Sequence, residues 1–263
     1  MKSAAVLKNL LSATAWEMIP PRPYSVFHLT VTVIGLLLSV QSAFFLARRR
    51  IRPEAVLFSC GLSLFLMELY KQAFLFFVEF EGSYDWWYFP FQLCSIPMYL
   101  CLLYPLTGKN SAVISTFVQD FGLLGGIMAL AVPAGLMHPY WTMTLHGFLW
   151  HFLLVFLGVY CARAGITDLS LRGFLKTLPV YFVCCLTALA VNAAAGPASD
   201  ADMFYISPYH PSSQPVFHRI SLIIGIFPGI LLYLASVAAG AFLIHRIISI
   251  LLPHPSSAGR RVR

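Results

Sequence analysis

Of the 263 residues, 59% are hydrophobic and only 10% charged, with a mean hydropathy of +0.79 and a net charge of +7. A water-soluble domain carries roughly 25% charged residues, so this chain has too little charge to cover a water-facing surface. The positive balance does not point to nucleic acid, because the basic residues sit in short runs beside apolar segments, where loops meet anionic lipid headgroups.

In chain order, residues 1–23 form an N-terminal interfacial segment. They lack the continuous apolar core of a signal peptide, and Trp16, Glu17 and the Pro20-Pro21-Arg22-Pro23 run stand where a cleavage site would be. Residues 4–18 read as a short amphipathic stretch on the membrane surface. Seven continuous apolar stretches follow, at about 24–47, 54–78, 88–107, 111–134, 140–161, 171–195 and 218–247. Each is long enough to cross a hydrocarbon core of ~30 Å as a helix. None alternates as a barrel strand would. The expected fold is therefore all-α, a polytopic bundle of seven transmembrane helices over 24–250, with a basic cytoplasmic tail at 251–263.

Orientation follows from basic residues in the short loops. Arg48, Arg49, Arg50 and Arg52, then Lys109, then Arg163 and Arg172, then Arg246, Arg260, Arg261 and Arg263 mark one side. Glu79, Glu81, Asp85, Asp200 and Asp202 mark the other. With seven spans this places the N-terminus outside and the C-terminus in the cytoplasm.

Ionisable groups inside a span are expensive, at about 2.5–3.5 kcal/mol on insertion scales, and each is a candidate functional residue. Glu68, Lys71 and Gln72 share one face of the second span. They read as substrate-binding groups or as a paired charge fixing helix packing. Gln92 and Cys94 open the third span, Gln119 and Asp120 lie in the fourth, His146 and His151 in the fifth, and Asn192 near the end of the sixth. Helical rise puts Cys94 and His146 at one depth, ~9 Å below the outer surface, and His151 ~7.5 Å deeper. Glu68, Cys94, His151 and Asn192 are expected to converge on an outward-facing pocket.

A cysteine with a histidine in reach supports nucleophilic acyl chemistry, which makes Cys94, His151 and His146 the catalytic candidates and Glu68, Lys71, Gln92, Asp120 and Asn192 the substrate-binding ones. Asn192 or Gln92 could donate to the oxyanion. The six cysteines lie in or beside apolar stretches with no CxxC, so no disulfide framework is expected. His146, His151, Asp120 and Glu68 show no ligand-pair spacing. No metal and no cofactor are expected.

The same stretches carry a resemblance. Phe89-Pro-Phe-Gln-Leu-Cys-Ser-Ile-Pro-Met98, Phe121-Gly-Leu-Leu-Gly-Gly-Ile-Met-Ala129, Phe148-Leu-Trp-His151, Glu68 and Asp202-Met-Phe-Tyr-Ile-Ser-Pro208 resemble, in order, segments of the YwaF-like bacterial integral membrane proteins. That family is similar to a eukaryotic membrane acyltransferase that remodels ether phospholipids through a cysteine centre. More distantly it resembles androgen-induced-type membrane hydrolases. The resemblance implies a bacterial plasma membrane location, a phospholipid or acyl-lipid partner, Cys94 as nucleophile and His151 as its base. The chain departs from the pattern at Gln92, where the family has histidine, and at Ala201-Asp202, where it has Asn-Tyr.

Two functions follow. One is a lipid acyltransferase or acyl-ester hydrolase working through an acyl-Cys94 intermediate. The other is a non-enzymatic seven-helix sensor, small-solute carrier or partner subunit whose polar cluster binds a ligand. A retinal pigment is excluded, since the last span has no lysine for a Schiff base.

Overall fold

A computed structural model describes residues 2–49 and 51–252; Arg50 and the tail from 253, with Arg260, Arg261 and Arg263, lie outside the described residues. The described chain is helical throughout. Its helices are α1 (Lys2–Ser12), α2 (Val26–Arg48), α3 (Pro53–Phe74), α4 (Ile96–Leu103), α5 (Ser111–Phe117), α6 (Leu123–Ala131), α7 (Trp141–Arg163), α8 (Leu171–Ala195), α9 (Pro215–Ile224) and α10 (Ile226–Leu251). A π-helical turn, Leu75–Glu79, extends α3, and another, Val118–Gly122, joins α5 to α6.

Six helical stretches are long and apolar enough to cross a membrane: Val26–Arg48, Pro53–Glu79, Gly108–Ala131, Trp141–Arg163, Leu171–Ala195 and Ile226–Leu251. The expected span at 88–107 is different. Its apolar helix covers only Leu93–Leu106, ~21 Å at the α-helical rise and short of a ~30 Å core. Prolines explain the shortfall. Pro90 drives Phe89 to φ −54°, ψ 132°, outside the helical region, and Pro97 sits in the first turn of α4, a position it tolerates because no amide is missed there. The last expected stretch is also divided. Gly225 at φ +92° ends α9 and starts α10 in a new direction.

Neighbouring helices fix the direction of each passage. The Phe27 and Trp141 rings meet at 5.6 Å and Arg163 lies over Phe44, so α2 and α7 run parallel. A Cβ added at Gly126 would stand 3.2 Å from the His151 carbonyl oxygen, so α6 packs closely and antiparallel against α7. Gly61 does the same for α3 against α4: a Cβ there would come within 2.8 Å of the Leu102 nitrogen. Small residues at such crossings let backbones approach where lipid supplies no hydrophobic drive.

The loops 80–92, 132–140 and 196–214 consequently share one end of the bundle. The loops 49–52, 107–110 and 164–170 share the other, the basic end. The N-terminal segment crosses the first end. Trp16 and Met18 exchange backbone hydrogen bonds with Trp141 and Pro139 at 2.8 Å each, and the Thr14 and Tyr70 hydroxyls meet at 2.6 Å.

Candidate functional site

At the end opposite the basic loops, a cavity of about 160 Å³ opens among α3, the 87–95 segment, the 135–138 loop and α7. Its polar lining includes Glu68, Lys71, Gln92, Cys94, His146 and His151. These groups come from three passages, so only the assembled bundle creates the site.

Glu68 is 4% exposed. Its Oε1 accepts from Lys71 Nζ at 2.9 Å and from Gln72 Nε2 at 2.7 Å, and Gln72 also donates to the Tyr88 carbonyl at 2.6 Å. Gln72 thereby ties α3 to the loop beside the cavity. Glu68 Oε2 is buried and meets no donor, an arrangement that a ligand N–H or O–H would satisfy. Of the three N–H donors on Lys71, the Glu68 pair uses one.

The two histidines are presented differently. His146 Nε2 bonds the Met67 carbonyl at 3.1 Å, and its ring stacks on Trp150 at 5.6 Å. His151 Nδ1 bonds the Gly147 carbonyl of its own helix at 2.7 Å. A carbonyl only accepts, so each bonded nitrogen carries a proton. His146 thus has Nδ1 left over, and His151 has Nε2, the nitrogen suited to take up a proton.

Cys94 enters the cavity on irregular backbone. The 89–92 segment, between the Trp86–Tyr88 turn and the turn that begins at Leu93, is non-helical and leads to Cys94. The Trp150 indole donates to the Cys94 carbonyl at 3.1 Å, and a Cβ on Gly125 would lie 3.7 Å from Cys94 Cβ. Cys94 therefore packs beside Trp150 and Gly125, in the cavity that His146 and His151 also line. Irregular backbone at this depth is tolerable where it lines a cavity rather than lipid.

Two expected members are elsewhere. Asn192 does not line the cavity. Its amide is consumed by Met203, donating to the carbonyl at 3.1 Å and accepting from the nitrogen at 2.7 Å. That bond pair holds the 196–214 loop, where Phe204 and Tyr205 have φ of 57° and 58°, strained values that persist only when surrounding bonds fix them. Gln92 does line the cavity but braces the same loop: Oε1 accepts from Phe204 N at 2.9 Å and Nε2 donates to the Asp202 carbonyl at 3.1 Å. Each amide nitrogen spends one of its two N–H donors on the loop, and of the two residues only Gln92 lines the cavity. Asp120 also lies away from the cavity, bonded through Oδ2 to His245 Nδ1 at 2.9 Å and through Oδ1 to Gln119 at 2.8 Å.

The sequence reading missed Trp150, Ser95 and His138, all in the lining. Trp150 could have been found, since it follows His146 by four residues and so shares its helical face. His138, whose Nε2 lies 3.1 Å from a Glu79 carboxylate oxygen, had no such signal. Among the described residues no group of three or more His, Cys, Asp or Glu side chains could hold a metal ion.

Six membrane-length apolar helices define a multi-span membrane protein. Its family is shown directly: the model for the TMEM164 family matches residues 23–246, and the chain belongs to that family. No curated protein and no solved structure matches the chain.

Proposed function

We propose that the protein is a lipid acyltransferase or acyl-ester hydrolase in which Cys94 is the nucleophile and His151 its base. The observation that carries the reading is the shared lining: a cysteine and a histidine with a free Nε2 face one cavity alongside a lysine and an unsatisfied carboxylate oxygen. The resemblance of the 89–98 segment to YwaF-like proteins, with their cysteine-centred relatives, supports the same assignment.

In this mechanism the Cys94 thiol gives its proton to His151 Nε2 and the sulfur attacks an acyl-ester carbonyl. The tetrahedral oxyanion collapses, the C–O bond breaks, and the leaving alcohol takes the proton from His151. The acyl group is then a thioester on Cys94. A second lipid hydroxyl, or water, delivers its proton to His151, attacks the thioester and releases the thiol. Lys71 offers its ammonium to the developing oxyanion or to a substrate phosphate, beside the remaining N–H of Gln92. Glu68 Oε2 accepts from a substrate donor.

The short Leu93–Leu106 helix and the non-helical segment before it together make a third passage, giving seven in all, with the cavity end and the N-terminus outside. The bacterial plasma membrane location expected from the resemblance belongs to the same reading. An acyl-directed, thiol-reactive probe tests the function most directly. Labelling of the wild type that disappears in Cys94→Ser supports it, and labelling unchanged in that variant refutes it.

A further inference from the structure

The flank of the bundle carries a second feature, which shares no lining residue with the cavity. Between α2, α3 and α7 runs a groove of about 590 Å³, walled by Val31, Ile34, Leu38, Ser42, Leu153 and Phe156. Past Ser42 and Phe156 it continues into a hollow of about 380 Å³ that adds Gln41, Phe45 and Leu46. From Val31 to Leu46 the path is ~22 Å at the helical rise, longer than one leaflet of a ~30 Å core. At Gly35 the Phe152 ring, part of the groove wall, occupies the space a Cβ would need.

The groove ends at a cluster of cations. The Arg49 guanidinium lies 4.6 Å over the Phe45 ring and that of Arg163 lies 4.7 Å over Phe44, with Arg48 in the last turn of α2. Stacking on a ring leaves the N–H edge of each guanidinium available. Among the described residues no carboxylate pairs with Arg48, Arg49 or Arg163.

We propose that this groove binds an anionic phospholipid, one acyl chain lying along α2 and the headgroup phosphate held by Arg49 and Arg163. Three observations converge on that occupant. The wall is mostly apolar along its length, which suits a chain. Its polar interruption, Ser39, Gln41 and Ser42, ends about six residues before Arg48, ~9 Å along the helix, the region where a glycerol ester would sit below its phosphate. The end is cationic and unpaired, and arginine forks match phosphate oxygens in pairs. Any lipid can fill an apolar groove; the unpaired arginines select the anionic one.

The test uses the full-length protein, purified in detergent and stripped of lipid, then titrated with phosphatidylglycerol or phosphatidylcholine. Native mass spectrometry reads the adduct and thermal unfolding reads the stabilisation. Phosphatidylglycerol should give a retained one-to-one adduct and raise Tm, and phosphatidylcholine should do neither. Each surface arginine contributes about a fivefold change in affinity, so Arg49→Gln with Arg163→Gln should weaken the adduct roughly 25-fold. Ser42→Trp, at an exposed position that fills the groove without entering the core, should remove it. Lys71→Gln, in the cavity, should leave it unchanged, which separates this site from the proposed chemistry. Equal binding of both lipids, or an adduct surviving both groove variants, would overturn the proposal.

Discussion

Asp120 and His245 are both fully buried, 125 residues apart in sequence, and joined at 2.9 Å. His245 Nε2 lies 3.1 Å from the Ser170 carbonyl, so it must donate there. One further proton lies between Nδ1 and Oδ2, on whichever atom, and the pair as a whole is neutral. The arrangement ties the fourth apolar stretch, the last helix and the loop before α8 into one knot. Replacing His245 with Phe strands both the carboxylate oxygen and the Ser170 carbonyl. Hydrogen bonds between membrane helices average ~0.6 kcal/mol and reach ~1.7, while a buried polar group left unsatisfied costs about 1–3 kcal/mol. The expected loss for His245→Phe is therefore about 3 kcal/mol. Asp120→Asn should behave otherwise. Its Oδ1 can still accept from Gln119 and its amide can donate to Nδ1, so every bond survives and the loss should stay below ~1 kcal/mol. Asp120→Leu strands both Gln119 and His245, and should match the His245→Phe loss. Reversible unfolding in mixed micelles gives all three values. Equal losses for Asp120→Asn and Asp120→Leu would refute the reasoning, since they would show that charge, not bond satisfaction, holds the knot.

Three other outcomes are expected. In the proposed orientation a cysteine at Ser83 is labelled by an impermeant reagent from outside intact cells and one at Gly108 is not; the reverse pattern would invert the topology. Loss of a general base typically costs 10²–10⁴ in rate, so His151→Ala should reduce acyl-probe turnover by about that factor. His146→Ala, whose Nε2 is spent on Met67, should cost under tenfold, and a silent His151→Ala would reject it as the base. Finally, burial and the neighbouring Asp200 carboxyl push the acid of Asp85 up to about 6, from an ordinary value near 3.9. The folded loop then holds its proton more tightly than the unfolded chain, so its contribution to stability is full below pH ~4 and is lost as pH rises through about 6. Protease protection of the 80–92 loop should fall across that window, and Asp85→Asn should flatten the curve; constant wild-type protection would contradict it.

Most of the bundle was legible because hydropathy reports transfer into lipid, and Val26–Arg48 or Leu171–Ala195 are apolar over their whole length. The capping serines, Ser25 and Ser170, also fall where the apolar runs begin and bond the first turns. Partner choice was not legible. Nothing local distinguishes Asn192, which braces a loop, from a pocket amide, and His245 drew no notice because its carboxylate lies 125 residues away. Polar residues in a span announce that they must be satisfied, but their sequence positions do not say by whom.

The short Leu93–Leu106 helix shows how a departure from the simple hydropathy reading can be informative. Hydropathy treats 88–107 as one more span, because Phe89, Phe91, Leu93 and the α4 residues are as apolar as any others. Pro90 and Pro97 already argue that a continuous helix cannot run through them. A chain that abandons helical bonding at membrane depth must satisfy its backbone elsewhere. Here Tyr88 accepts from Gln72, Pro90 from Tyr99 and Cys94 from Trp150, each through its carbonyl. Three side chains are thus committed to holding a segment that a plain helix would have held without them. Such local inconsistency is expected where function, not stability, sets the geometry. That the carbonyl at the end of the irregular run belongs to Cys94, facing the cavity with His151, is the strongest structural reason to seek the chemistry at this residue before any of the five other cysteines.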